Sequence, residues 1–539
     1  MKNKLVWLLG LSVVLTACDA DNELNPIMEE TVEIAATPGT ADFSNYVAIG
    51  ASFTAGFSDG ALFEAAQTHS FPNILAQKFS MTNGGDFTQP LMNDNIGGMM
   101  MGGQQIPSLL PRLYFNGAGP ARLDATSTTD ITAVIPGPYN NMGVPGAKSF
   151  HIPAAGYGAA NPYFGRMASS PGVSVLQDAV AQSPTFFTIS EIGGNDVLGY
   201  AMSGGTGVDR TGDFNAAAYG GNDITDPTVF TQSLTAMVAA LSANGANGAI
   251  ATVPSITTLP FFTTVPHDAL NADTNAEYAA QIPTLNALFG AMNDVFAFLQ
   301  VPERSISFAT SGTSAVVIKD ETLTNLSAQI TGVLLQSPTF PTFLASFGLG
   351  PEFAPAVAGL LGMQYGQARQ ATANDLLVLT TSSLIGTTNM NSVQTLMSQG
   401  LSQTLAGLFS AEGLTLPMAD QWVLIPSEIE AVQTATTAYN ASIKSIANSN
   451  GLALVDLTNV LSSAANGGYA FGNYTMTTDL VMGGLVSLDG IHLTSRGYAL
   501  MAAEFLKSID ATFGSNYSEA TNGMPVAGEY PTNYGATFR

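Results

Sequence analysis

Ser52 lies in the small-residue turn Gly50-Ala51-Ser52-Phe53-Thr54-Ala55-Gly56, which follows the short apolar run Tyr46 to Ile49. That order predicts a β-strand breaking at a turn, with the serine beside the break. A serine hydroxyl is a poor nucleophile until a base takes its proton, and an imidazole does this best near neutral pH, where its own protonation changes. Of four histidines, only His492 stands with a carboxylate at useful spacing in a strand-end turn, Asp489-Gly490-Ile491-His492. Asp489, three residues earlier, is placed to accept from the second ring nitrogen, which fixes the tautomer and stabilises the imidazolium. His69, His151 and His267 read as surface or loop residues. Two further turns are rich in Gly and Asn: Asn141-Met142-Gly143-Val144-Pro145-Gly146-Ala147 and Gly193-Gly194-Asn195-Asp196.

These turns need strands and helices to bring them together. Phe186 to Ile192, Ala249 to Val253 and Leu452 to Val455 read as further strands. Asp226-Pro227 opens a helix carrying Phe230, Leu234, Met237 and Leu241 at helical spacing. Ser427-Glu428-Ile429-Glu430 fits a capping box ahead of apolar residues at 429, 432, 436, 439, 443 and 446, and Gly451 stops that helix. A last helix runs from about Thr494 to Phe513. Strand alternating with helix argues an α/β chain with a parallel sheet covered on both faces, and such sheets place ligands at the carboxyl ends of their strands.

In their order along the chain the four turns resemble the conserved blocks of the SGNH, or GDSL, serine esterases. The resemblance spans residues 43–262 and 421–512. It implies a flavodoxin-like, three-layer core and hydrolysis of carboxylic esters through an acyl-enzyme on Ser52, with His492 as base and Asp489 as its partner. It also implies an oxyanion hole made of the backbone N–H groups of Ser52 and Gly146 and the side-chain amide of Asn195, and no metal or cofactor. Gly146 is preferred over Gly143 because the family's glycine stands five residues beyond the Asn. Asn195 retains the alternative of capping the segment after it. The family's Gly-Asp-Ser-Leu reads Gly50-Ala51-Ser52-Phe53 here, so the acid beside the nucleophile is missing. Two other readings stay open, a carbohydrate acetylesterase and a noncatalytic surface-binding lipoprotein that kept the fold.

Only 10% of the 539 residues are charged and the net charge is −25, so no basic stripe is present to neutralise nucleic-acid phosphates. Lys2 and Lys4, an apolar run from Leu5 to Ala17 and then Leu15-Thr16-Ala17-Cys18 resemble a bacterial lipoprotein signal. That resemblance implies removal of residues 1–17, lipidation of Cys18 and an exported protein held at a membrane, with the outer membrane expected. Cys18 is the sole cysteine, so no disulfide forms within the chain. Residues 18–42 read as an acidic tether and 513–539 as a tail. Residues 263–420 form an insertion with its own helical signal in Leu285, Leu288, Phe289, Met292, Val295, Phe296 and Leu299, followed by an expected hairpin about Ser311-Gly312. Val333 to Met363 holds one charge, Glu352, and is too often broken by proline for one membrane-spanning helix. This block is expected as the core of a helical subdomain or as an acyl-binding wall or lid. The loop Gly97-Gly98-Met99-Met100-Met101-Gly102-Gly103 offers a second adaptable acyl contact or a gap-filling loop.

Overall fold

A computed structural model describes residues 33–135 and 137–539; Cys18 and the signal-like segment lie outside the described residues. Five parallel strands form the central sheet: β1 (Tyr46–Gly50), β2 (Asn141–Gly143), β3 (Phe186–Ile189), β4 (Asn247–Ala251) and β5 (Ala453–Val455). Their spatial order is β2-β1-β3-β4-β5. This is one of the two common doubly wound orders, and it reverses direction between β1 and β3, where such sheets bind ligands beyond the strand ends. Every residue of β1 and β3 is buried, which is why both read as continuous apolar runs rather than alternating ones.

In chain order the principal helices are α1 (Ser52–Ala55), α2 (Phe71–Phe79), α3 (Val175–Ala181), α4 (Asn195–Met202), α5 (Pro227–Leu241), α6 (Ala276–Phe298), α7 (Ser327–Gln336), α8 (Phe340–Ser346), α9 (Ala354–Tyr365), α10 (Pro426–Asn450), α11 (Leu457–Ala465) and α12 (Ser495–Phe513). The expected start of α5 is present in full: the Asp226 carboxylate accepts from Thr228 N–H at 2.7 Å and Val229 N–H at 3.1 Å, with Pro227 in the first turn. Gly451, at φ +64°, ends α10 in the left-handed conformation that glycine takes without strain. Helices α2 and α12 pack together and α12 lies on β4 and β5, while α3, α5, α10 and α4 form a second packed group on the sheet. The result is an α/β, layered core.

Residues from Val265 to Ile425 bury a hydrophobic cluster of their own, built around Leu288, Phe289, Met292 and Phe296 of α6. The apolar stretch 333–363 belongs to it, through Leu334, Phe340, Leu344, Val357 and Leu361, and runs from the end of α7 through α8 into α9, with Phe340–Ser346 and Pro351–Tyr365 bent 109° apart. Among the described residues no single helix is long and apolar enough to cross a membrane. The expected hairpin about Ser311-Gly312 does not form. Val317–Lys319 pairs instead with Ala368–Gln370, and Thr313–Ser314 with Leu270–Asn271. The backbones of Ile306 and Phe308 are held by two side chains of α6, where Asn293 and Asn286 each donate to and accept from them at 2.8–2.9 Å. These amides satisfy the groups a strand partner would otherwise take.

Both ends of the described chain depart from the expected tether and tail. Thr37 N–H donates to Asn516 at 2.7 Å and Thr40 N–H to Phe513 at 2.8 Å, so the stretch 34–41 is packed against the segment after α12. Farther on, Tyr517, Tyr530 and Tyr534 are buried. Arg112 holds this segment: fully buried, its guanidinium donates to the carbonyls of Tyr534, Gly535 and Phe538 at 3.0, 2.8 and 2.6 Å, and its Nε donates to Asn95. Composition hid this role because an arginine this deep is rare unless every donor is used. Arg112→Met should therefore lower stability by about 3 kcal/mol or more. The check is a lower urea midpoint together with protease cleavage beyond Tyr530; an unchanged midpoint would mean that the clasp is dispensable.

Candidate active site

β1 ends at Gly50, and the chain turns through Ala51 into α1, whose first residue is Ser52. The turn is held from the neighbouring strand. Glu191, two residues beyond β3, accepts from the Ala51 N–H, from Thr54 N–H at 3.0 Å and from Thr54 Oγ1 at 3.1 Å. Glu191 adopts φ +45°, a left-handed conformation that non-glycine residues seldom take. Burial is the largest influence on its carboxyl and raises the pKa from 4.5 to about 7, against the pull of those donors. Sequence reasoning passed over Glu191 because it looked like the last part of a strand, yet it braces the turn that carries Ser52.

His492 and Asp489 meet as expected, with Nδ1 to Oδ2 at 2.7 Å. Asp489 also accepts from Gly60 N–H at 2.8 Å, Ile491 N–H at 2.9 Å, His492 N–H at 2.8 Å and Ser487 Oγ at 3.1 Å. Burial alone would raise this carboxyl, but His492 beside it and the converging donors outweigh burial and hold it well below the usual carboxylate range. The loop is fastened to the serine side by a second buried acid. Asp59 accepts from Leu488 N–H at 3.0 Å, its own N–H donates to Ser487 Oγ at 3.0 Å, and Ser58 Oγ donates to Leu493 O at 2.9 Å. The His492 ring rests against Phe57, with centroids 4.5 Å apart, and Phe53, at 5.7 Å. Ser52 and His492 are thus carried on adjoining, tightly fastened segments. Their side chains are not hydrogen-bonded to each other: His492 binds through Nδ1 to Asp489 alone, and Ser52 Oγ has no hydrogen-bond partner among the described residues.

Asn195 is the first residue of α4, whose cap position is Gly194 and receives no side-chain cap. Its amide instead donates to Ala147 O at 3.0 Å, and Asn195 and Ser52 both line one cavity. Asp196 secures the same loop from below, accepting from Ser149 N–H at 2.9 Å and Ser149 Oγ at 2.7 Å. The two candidate glycines separate cleanly. At Gly143 a side chain would collide with the Ala55 backbone, so that glycine permits β2 to pack on α1. Gly146 is exposed at φ +78° with no heavy atom within 4 Å of where a Cβ would stand. Neither the Gly146 nor the Ser52 N–H donates to a described residue.

The cavity at Ser52 is walled by residues of the α/β core, and no residue between 263 and 420 lines it; the expected acyl-binding wall or lid from the insertion is not there. The reason is the second cluster, which turns the insertion's apolar side chains onto one another. The methionine loop is also elsewhere: Met99 fills a small cluster with Leu62 and Met92, while Met101 is exposed. His69 is not a free surface residue, since its Nδ1 meets Ser495 Oγ and Tyr534 OH, and His151 stacks on Tyr157 at 4.5 Å. Away from Ser52, carboxylate oxygens of Glu321, Asp420 and Glu428 lie within 4.8 Å of one another.

An acid whose pKa rises from 4.5 to about 7 on folding contributes stability that is complete below 4.5 and lost as pH climbs through 7, because the unfolded chain releases its proton first. Glutamine can keep the contacts of Glu191, accepting both N–H groups and donating to Thr54. Glu191→Gln should therefore match the wild type near pH 4.5 and exceed it by about 3 kcal/mol at pH 8. Urea unfolding at the two pH values checks this, and equal pH profiles would rule out Glu191 as the titrating brace.

The chain matches no family model, no curated protein and no solved structure.

Proposed function

We propose that the protein hydrolyses carboxylic esters by the SGNH serine mechanism. The observation that carries this reading is the 2.7 Å contact between Asp489 and His492, on a loop fastened to Asp59 and Gly60, just beyond the helix that begins at Ser52. In the reaction, His492 Nε2 takes the Ser52 proton as Oγ bonds to the ester carbonyl carbon. The N–H groups of Ser52 and Gly146 and the Asn195 side-chain amide receive the oxyanion. The carbon–oxygen bond to the alcohol then breaks, the alkoxide leaves with the proton from His492, and the acyl group remains on Ser52. Water, deprotonated by His492, reverses the sequence and releases the acid. The Ser52 proton leaves with the alcohol and is replaced through His492 by one from water, whose hydroxide departs in the acid, so the cycle closes with ester and water as the sole reactants.

The absent Ser52–His492 hydrogen bond favours a second reading, a protein that binds ligands at this site without cleaving them. Catalytic hydrogen bonds often tighten only when substrate is bound, and the first reading takes that as its ground. A fluorophosphonate separates the two: it should label Ser52, and Ser52→Ala should abolish both labelling and ester hydrolysis. Asn195→Ala should lower turnover by roughly 10² to 10³ while leaving Ser52 reactive enough to label. Labelling at another serine, or none, returns the site to ligand binding.

The first eighteen residues support an exported lipoprotein anchored through a lipid on Cys18. Cys18→Ser should move the protein from membrane to soluble fractions without altering the specific activity of purified enzyme. A native protein already soluble would reject the anchor.

A further inference from the structure

The cavity at Ser52 has few polar residues in its lining, Ser52, Glu191 and Asn195, and the remaining walls are almost wholly aliphatic. They include Ile256 and Leu259 from the loop after β4, Val460 and Leu461 of α11, and Leu500 and Met501 of α12. It is narrow, about 90 Å³ in volume, and partly open to solvent. Glu191 already receives the N–H groups of Ala51 and Thr54, and among the described residues no cationic side chain lines the walls. A sugar or a second carboxylate would find no partners inside, whereas methylene groups lose nothing by leaving water.

We infer that this slot between α11 and α12 binds the unbranched aliphatic chain of the acyl group, so that the preferred substrates carry acyl chains well beyond acetyl. The inference rests on the ester-hydrolase reading and names its substrate class. The direction follows from the two ends of the reaction. His492, which must protonate the departing alcohol, is absent from the slot wall, whereas Asn195, which faces the carbonyl oxygen, is part of it. The alcohol therefore leaves on the His492 side and the acyl chain points inward from Ser52. Each methylene accommodated should raise kcat/KM about fourfold, the equivalent of about 0.8 kcal/mol per buried CH₂, until the slot is full.

The test uses the full chain and nitrophenyl esters from acetyl to palmitoyl. The octanoyl ester should exceed the acetyl ester in kcat/KM by about a hundredfold or more. Val460→Phe and Ile256→Phe, each of which narrows the slot, should each cut the octanoyl-to-acetyl ratio at least tenfold. Phe343→Asp, in the separate cluster of the insertion, should leave that ratio unchanged. Decanoate binding to Ser52→Ala, measured by calorimetry, examines the slot without any chemistry and should be lost when Val460→Phe is added. If Ser52 is labelled by a fluorophosphonate but acetyl esters are preferred, the slot assignment is overturned and the hydrolase reading stands with acetyl groups as substrate. If Ser52 is not labelled and no ester is cleaved, yet decanoate binds and Val460→Phe abolishes binding, the slot stands and the hydrolase reading falls. Absence of both decanoate binding and a chain-length preference rejects the slot.

Discussion

The geometry of this site depends on one polar seam, where Ser58, Asp59 and Gly60 meet Ser487, Leu488, Asp489 and Leu493 across 428 to 435 positions of sequence. Four hydrogen bonds of 2.8–3.0 Å cross it, all from buried or half-buried groups. A buried donor left unpaired costs more than a paired one returns, so such a seam tolerates one register and rejects its neighbours. That selectivity is what a base must have if it is to stand beside a nucleophile from the opposite end of the fold.

The acids of the core share one task. Glu191 holds the serine turn, Asp59 the histidine loop and Asp196 the loop of Gly146 and Ala147, each by accepting backbone N–H groups. With fifteen Lys and Arg against forty Asp and Glu, the chain has too few cations to pair its carboxylates. Those buried beside Ser52 find main-chain donors in place of salt bridges, and the cost appears as raised pKa values at Asp59 and Glu191, burial being the first cause at both. Asp489 is the exception because an imidazole and four further donors converge on it.

Much of the frame was legible because it follows short-range rules. The runs at Tyr46, Phe186, Ala249 and Leu452 are strands, Asp226-Pro227 caps its helix, and Asp489 finds His492 three residues away. What escaped was whatever required a distant partner. β2 carries no apolar run and is a strand only because β1 lies beside it. Asn286 and Asn293 occupy the place of a strand partner, so the alternation around Ser311 misled. Glu191, Asp59 and Asp196 carry no local signature, since a brace is defined by what it reaches. The insertion's apolar residues were compatible with either a subdomain core or an acyl-binding wall, and only their packing on one another decides for the core and leaves the slot to α11 and α12.

The clasp of Arg112 on the carbonyls of Tyr534, Gly535 and Phe538 has a consequence in time as well as in space. A chain is made from its amino end, and Ser52 leaves the ribosome hundreds of residues before His492 does. Until the stretch beyond residue 534 is available, Arg112 lacks three of its acceptors, and until the 487–493 loop arrives Asp59 lacks its donor. A nascent or truncated chain that stops short of residue 487 therefore carries the serine turn without the loop that packs beside it.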